Sequence, residues 1–345
     1  MKKNRLRDGE FLRPASVVDG VTPQNMSREM TPVKPKVYID GKEGTTGLQI
    51  YDRLTARTDI ELLLIDEDKR KDVEERKKFL NAADIVFLCL PDAAAVEAVA
   101  LVENPATRII DASTAHRTAP GWVYGFPELK PGQRQAIAGA SRVANPGCHA
   151  TGFISVVAPL VELGLLPKDA DLSCFSLTGY SGGGKKMIAQ YEAPDREEAL
   201  SAPCPYGLTQ AHKHLPEMQK VCGLSKAPVF VPIVDDYYKG MATTVPLHRS
   251  QLRAVPSLHA LWRAYTDYYA GQQMVHVAPD PAEEPVGKLY AGAKAGQNDL
   301  TIVVAGNDEA FTVTALFDNL GKGASGAAVQ NMNILLGLEE TTGLL

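Results

Sequence analysis

KVYIDGKEGTTGLQIYDRL, residues 36 to 54, decides the reading of the fold. Lys36 to Asp40 is a short β-branched and apolar run, three glycines follow at Gly41, Gly44 and Gly47, and Leu48, Ile50, Tyr51 and Leu54 recur at helical spacing. Strand, glycine turn and helix in that order open a dinucleotide-binding unit. Gly41 permits the tight turn, Gly44 lets a pyrophosphate approach the backbone, Gly47 lets the helix sit against the strand, and the phosphates meet the helix N-terminus. The same glycine spacing occurs in purely structural turns; its place directly behind the first strand favours the dinucleotide.

Outward from this unit, apolar runs return at 60–65, 85–90 and 108–111, with an Ala/Val helical stretch between the last two. Strands alternating with helices predict an α/β fold, a Rossmann-type doubly wound parallel sheet. Beyond Cys148 the pattern changes to a helix at about 151–163 and longer strands at 171–178, 228–234 and 300–317. These predict a mixed or antiparallel sheet in a second domain of α+β type. A last helix at about 323–336, rich in Ala and Gly on one side, is expected to pack back on the first domain. The expected division is a dinucleotide-binding domain at 36–147, completed by 319–345, and a second domain at 148–318. Residues 1–35, rich in Arg, Lys and Pro and with internal Met26 and Met30, read as a disordered extension, an over-called start or an expression remnant.

Composition narrows the function classes. A chain of 345 residues with 45% apolar content has core enough for two domains. Its net charge of -5, with no basic block past the first residues, gives nucleic acid no electrostatic footing. Five cysteines stand at irregular spacings without a C-x-x-C pair, and neither a secretory signal nor a membrane-length apolar run occurs. A cytoplasmic protein with free thiols, no metal site and no membrane partner is expected.

Four segments carry chemistry. Asp66 ends the second strand where a ribose-binding acid would favour NAD, but Lys69 and Arg70 follow and suit the 2′-phosphate of NADP(H), unless that charge run is only a solvated helix face. In ANPGCHATG, residues 144–152, Pro146 and Gly147 force a turn and Cys148 opens a helix, whose dipole favours a thiolate. QAHKHLPEM, residues 210–218, brings His212 and His214 with Glu217; if Pro216 opens a helix, His214 sits beside the cap and Glu217 can orient an imidazole, although two histidines also suit a metal pair or a surface. Together with Cys148 they supply a nucleophile and a base. Finally, DASTAHR (111–117) and TGYSGGGKK (178–186) gather hydroxyls, glycine amides and cations around an anion. The second is no Walker loop, since its spacing differs and no Ser or Thr follows the lysines.

Taken in order with DGKEGTTGLQ (40–49) and DNLGKGASGAAVQNMN (318–333), these segments resemble the N-acetyl-gamma-glutamyl-phosphate reductases, the short-chain type of arginine biosynthesis, over about residues 36–340. The resemblance implies a cytoplasmic homo-oligomer, dimer or tetramer, whose Cys148 attacks the acyl phosphate while His214 serves as acid/base with His212 and Glu217 nearby. Arg117, Ser113, Asn145, Ser181, Gly182 and Lys185 would contact the substrate. Gly44, Thr45, Thr46 and Gly47 would line the NADP pyrophosphate behind Gly41, and Leu90, Pro91 and Asn319 would approach the nicotinamide. The expected partners are the small acyl phosphate or semialdehyde and inorganic phosphate. Two departures stand out: the family usually has an aromatic residue directly after the nucleophile, where this chain has His149, and Lys185 occupies a position held by arginine in longer-chain relatives. Rival readings are another acyl-phosphate reductase, aspartate semialdehyde dehydrogenase-like or acting on an aminoadipate-type chain of the lysine pathway, and a dinucleotide-binding sensor without turnover.

Overall fold

Val37 and Ile39 point to one side of the first strand and Tyr38 to the other, and all three are buried. A strand buried on both faces needs cover on both, and the architecture of residues 34–344, which a computed structural model describes, supplies it. The reading of residues 1–35 as an extension lies, but for the last two, outside the described residues.

The first sheet is formed by β1 (Lys36–Asp40), β2 (Glu61–Leu63), β3 (Ile85–Leu88), β4 (Arg108–Asp111), β5 (Val123–Tyr124) and β6 (Arg142–Ala144), in the order β2-β1-β3-β4-β6-β5 and parallel at every pairing. Helices α1 (Thr45–Thr55), α2 (Val73–Ala82), α3 (Asp92–Ala100) and α4 (Gln133–Ala138) lie between these strands in sequence. Tyr38, Val86, Leu88 and Ile109 pack on Leu80 of α2 and on Ala95 and Ala98 of α3. The alternate residues Val37, Ile39, Phe87, Ile110 and Val143 pack with Ile50 and Leu54 of α1 and with Ala328, Val329 and Met332, which come from the far end of the chain. The chain leaves β1 for β2 on one side and returns to β3 on the other, so a crevice opens beyond the C-terminal end of β1, where doubly wound sheets bind ligands.

Helix α5 (Cys148–Glu162) leads into the second sheet, made of β7 (Ser173–Gly179), β8 (Cys204–Pro205), β9 (Val229–Asp235), β10 (Met241–His248), β11 (Val275–Val277), β12 (Leu300–Gly306) and β13 (Ala310–Phe317). Its order is β11-β12-β13-β10-β7-β9-β8, with β7–β9 and β11–β12 parallel and the other pairs antiparallel. Helices α6 (Gly184–Tyr191), α7 (Leu215–Val221) and α8 (Leu258–Tyr268) complete this half; one sheet face packs on α5, α7 and α8 in a single large core. On the other face Ala278, Val286 and Ala291 cover Ala242, Val303 and Leu316, while Phe175 and Val229 stand exposed. The last helix, α9 (Gly326–Leu336), is buried over nearly its whole length.

The α/β class, the parallel doubly wound sheet and the mixed second sheet are as the sequence predicts. Two elements differ. The run 300–317 is a hairpin rather than one strand: Asn307 Oδ1 accepts from the backbone N–H of Glu309 and Ala310, and Gly306 has φ +124°. The expected helix at 323–336 is preceded by a π-helical turn over Gly321–Ser325, with the N–H of Ser325 reaching the carbonyl of Leu320 at 3.0 Å.

Candidate active site

A cavity of about 360 Å³ opens where the two sheets meet, lined by the glycine turn, the start of α5, the 178–184 loop, the histidine segment and the π-helical turn. Cys148 is the first residue of α5, and Gly147 is its N-cap. No larger residue fits at 147, because a Cβ there would run into the guanidinium of Arg117 and the imidazole of His214. Cys148, Arg117 and His214 are thus brought together by one glycine.

Glu217 serves this arrangement differently from the expectation that it orients an imidazole. In the first turn of α7 it is 2% exposed, and its Oε1 accepts from the Gly147 backbone N–H at 2.9 Å and from the Tyr124 hydroxyl at 2.6 Å. Its Oε2 accepts from Arg117 at 3.1 Å. With both oxygens so engaged it fixes the turn before Cys148. Arg117 also donates to the carbonyls of Asn145 (3.0 Å) and Ala112 (3.1 Å), so much of its donor capacity braces backbone.

Burial dominates the electrostatics. It pushes the Cys148 thiol above its usual range, opposed by the His149 backbone N–H and by the positive charges of Arg117 and Lys213. The helix start does favour the thiolate, through the His149 N–H, but burial outweighs it. His214 is held well below the ordinary histidine value by burial and then by Arg117, so it is neutral near pH 7, and its Nδ1 is buried without a hydrogen-bond partner. His212 is lowered by burial and Lys213, and its Nδ1 faces the His214 backbone N–H at 3.2 Å. The family-atypical His149 lies 2.7 Å from Ser176 Oγ and 2.8 Å from Tyr206 Oη through its two ring nitrogens. Burial, then His212 and Lys213, pull it down to about 3. Its ring centroid lies 5.6 Å from that of His212 and 5.7 Å from that of His214, but among the described residues no group of three or more His, Cys, Asp or Glu is placed to share a metal.

A second cavity, about 500 Å³, extends over the ends of β1 and β2 and shares Leu90 with the first. Gly41 and Arg70 line it, with Lys42, Tyr51 and Lys71. The chain fits a dinucleotide here: Gly41 has φ +86° and a Cβ would strike the Cys89 carbonyl, while a Cβ on Gly47 would strike the Gly41 carbonyl and push α1 off the strand. Asp40 is not free for a ribose, since Arg76 holds it at 2.7 Å.

Of the residues singled out from sequence, Cys148, His212, His214, Arg117, Asn145, Ser181, Gly182, Gly44, Thr45, Thr46, Leu90 and Asn319 line the first cavity. Six line neither. Ser113 turns away to donate to Asp111 Oδ2 at 2.7 Å, Lys185 is exposed on α6, Pro91 caps α3, Lys69 pairs in solvent with Asp66, Gly47 is a packing contact, and Glu217 lies behind Gly147. Tyr206 and Lys213 line the cavity without having been singled out. The only signal for Lys213 was its place between two histidines; Tyr206 sits in a loop with no motif.

Comparison with known proteins supplies independent context. Residues 46–138 match the family model described as "Semialdehyde dehydrogenase, NAD binding domain", and residues 148–319 match "Semialdehyde dehydrogenase, dimerisation domain". The chain is 50% identical over 321 residues to N-acetyl-gamma-glutamyl-phosphate reductase 2 of Nostoc sp., covering 90% of this chain and 99% of that relative. It is 49% identical over 309 residues to the N-acetyl-gamma-glutamyl-phosphate reductase of Brucella anthropi, covering 88% and 99%. Among solved structures, aspartate semialdehyde dehydrogenase II from Vibrio cholerae superposes with a TM-score of 0.67 at 15% identity, covering 88% of this chain and 99% of that one. Aspartate semialdehyde dehydrogenase with NADP from Candida albicans gives a TM-score of 0.59, also at 15% identity, over 88% and 99%. At that identity the structural likeness speaks for the fold.

Proposed function

The chain belongs to the N-acetyl-gamma-glutamyl-phosphate reductase family, and on that premise we propose that it reduces N-acetyl-gamma-glutamyl phosphate to N-acetyl-L-glutamate 5-semialdehyde with release of phosphate, through a thioester on Cys148, in arginine biosynthesis. The observation that carries this reading is Cys148 at the head of α5, in a cavity shared by a neutral buried histidine and the glycine turn.

Neutral His214 accepts the thiol proton as Cys148 attacks the acyl carbon; the sulfur–carbon bond forms, and phosphate leaves with the former acyl–oxygen electron pair. Backbone N–H groups at the start of α5 face the oxyanion of each tetrahedral species. Arg117 and Lys213 offset the negative charge of the phosphoryl and carboxylate groups, Lys213 with an exposed ammonium and Arg117 with the donors that Glu217 and the two carbonyls leave over. Ser181, Gly182 and Asn145 complete the substrate contacts. The chemistry that a bound NADPH supplies is one hydride to the thioester carbon. The protonated His214 then donates its proton to the substrate oxygen to give a thiohemiacetal, takes the hydroxyl proton back as the carbon–sulfur bond breaks, and passes it to the departing sulfur, which frees the aldehyde and regenerates the Cys148 thiol.

The nicotinamide cofactor is NADP(H) in this proposal because Arg70, Lys42 and Lys71 line the second cavity, a set of cations suited to a 2′-phosphate. Gly44, Thr45, Thr46 and Asn319 line the passage between the pyrophosphate and the reacting end. The division of labour follows the two sheets: 36–147 with 319–345 binds the cofactor, and 148–318 carries catalysis and association into a homo-oligomer, dimer or tetramer. No helix among the described residues is long and apolar enough to cross a membrane. The proposed site of action, the cytoplasm, rests on the family's biosynthetic reaction.

One assay tests the reading: NADPH formation from N-acetylglutamate semialdehyde, NADP and inorganic phosphate. Turnover should be abolished by Cys148→Ser with NADPH binding retained. Equal or faster turnover on aspartate semialdehyde, or activity surviving in the serine variant, would overturn it.

A further inference from the structure

The segment DNLGKGASG contributes Asn319, Leu320, Gly323 and Ala324 to the catalytic cavity, yet Lys322, in its middle, is 0% exposed and does not line it. We propose that Lys322, through its buried ion pair with Glu128, is a positioning residue that holds the π-helical turn 321–325 against Cys148 and so sets how the thiol meets its substrate. The proposal rests on the reading of Cys148 as the nucleophile.

The turn needs holding. Its five-residue bonds, Gly323 N–H to the Asp318 carbonyl and Ser325 N–H to the Leu320 carbonyl, both 3.0 Å, belong to a geometry that is rare and appears mostly as isolated bulges at functional sites. It also leans on the nucleophile: a Cβ added to Gly323 would lie 3.0 Å from the Cβ of Cys148. Drift of this backbone by a few tenths of an ångström would therefore move the wall against which the cysteine side chain is set.

Lys322 is the anchor next to that wall. Its ammonium donates to Glu128 Oε1 at 2.7 Å, to Glu128 Oε2 at 2.9 Å and to Gln330 Oε1 at 2.6 Å, and it stands 5.2 Å from the centroid of the Phe126 ring. Gln330 Nε2 donates in turn to Glu128 Oε1 at 2.8 Å. A lysine and a glutamate this deeply buried are seldom the most stable filling for such a space. What they supply beyond apolar residues is direction, since three short hydrogen bonds fix where the turn can sit.

Glu128 is well placed to give that direction meaning. It lies four residues after Tyr124, whose hydroxyl binds the same Glu217 oxygen that receives the Gly147 N–H. Segment 124–128 thus ties down both flanks of Cys148, the turn before it through Glu217 and the turn beside it through Lys322.

The test is the double variant Lys322→Met with Glu128→Gln, which removes both charges together and leaves neither buried alone. The expected result is a folded protein with unchanged NADPH affinity, kcat lowered at least tenfold, KM for the semialdehyde within threefold, and a changed rate of Cys148 alkylation by iodoacetamide at fixed pH. A folded double variant with kcat within twofold of the parent and the same alkylation rate would overturn the proposal. Should the pair fail to fold, Gln330→Leu removes one ammonium contact together with the amide's bonds to Glu128 and Glu340 while leaving the ion pair in place; it should lower kcat at least threefold at unchanged KM, and parental kcat in it refutes the idea equally. If the parent protein itself does not turn over the semialdehyde, the assignment of the reaction fails instead, a result that the alkylation rates distinguish from failure of the anchor.

Discussion

Cys148 illustrates how one side chain answers to two opposing effects. The helix start and two cations pull its thiol down, but burial outweighs them, so the resting group is a thiol whose ionised fraction grows with pH. Because the value is raised, the thiolate is scarce below neutrality and rises about tenfold per pH unit well below its midpoint. Iodoacetamide labelling of the free protein should therefore accelerate steeply from pH 6.5 to 8.5; a rate already flat from pH 6 would mean that a histidine holds a resting thiolate. A second contrast belongs to the cofactor cations. Arg70 lines the second cavity and Lys69 does not, so Arg70→Ala should weaken NADPH binding by about tenfold, roughly 1.4 kcal/mol, while Lys69→Ala leaves it within twofold. Equal effects in a fluorescence titration would remove Arg70 from the 2′-phosphate.

Among the elements, the α1 turn is the most legible in sequence, since Gly41 and Gly47 each answer to a steric requirement that the spacing already displays. Gly47→Ala drives a methyl group into the Gly41 carbonyl, and overpacking of this kind costs roughly 1–3 kcal/mol. A thermal melt should show the loss together with weaker NADPH binding; an unchanged melting temperature would mean that α1 can lift off freely. Strand β4 is also predicted to its exact bounds, 108–111, because Arg108 and Asp111 bracket two isoleucines. Elements decided by tertiary contacts were not legible. The 300–317 hairpin hides in a long, largely apolar and threonine-rich run whose short break at Gly306, Asn307, Asp308 and Glu309 is the sole mark of the turn, and the π-helical turn depends on partners far away in sequence, Glu128 among them. The role of Glu217 was misread for a related reason: proximity to two histidines in sequence says nothing of the Gly147 N–H brought up from seventy residues earlier.

For the whole molecule, the second sheet buries one face and leaves Phe175 and Val229 bare on the other, beside strands whose neighbouring residues are largely apolar. If this face joins subunits, Phe175→Asp should shift the molar mass in light scattering toward that of a single chain; an unchanged mass would locate the contact elsewhere. A different consequence follows from α9. The first sheet draws its strands from residues 36–144, yet one of its faces is closed by Ala328, Val329 and Met332. A nascent chain emerging from the ribosome therefore carries that face open, with Val37, Ile39, Ile110 and Val143 wet, until residues 326–336 have been made. Ribosome-stalled chains ending before residue 326 should be chaperone clients, and maturation of the nucleotide site should await translation of α9.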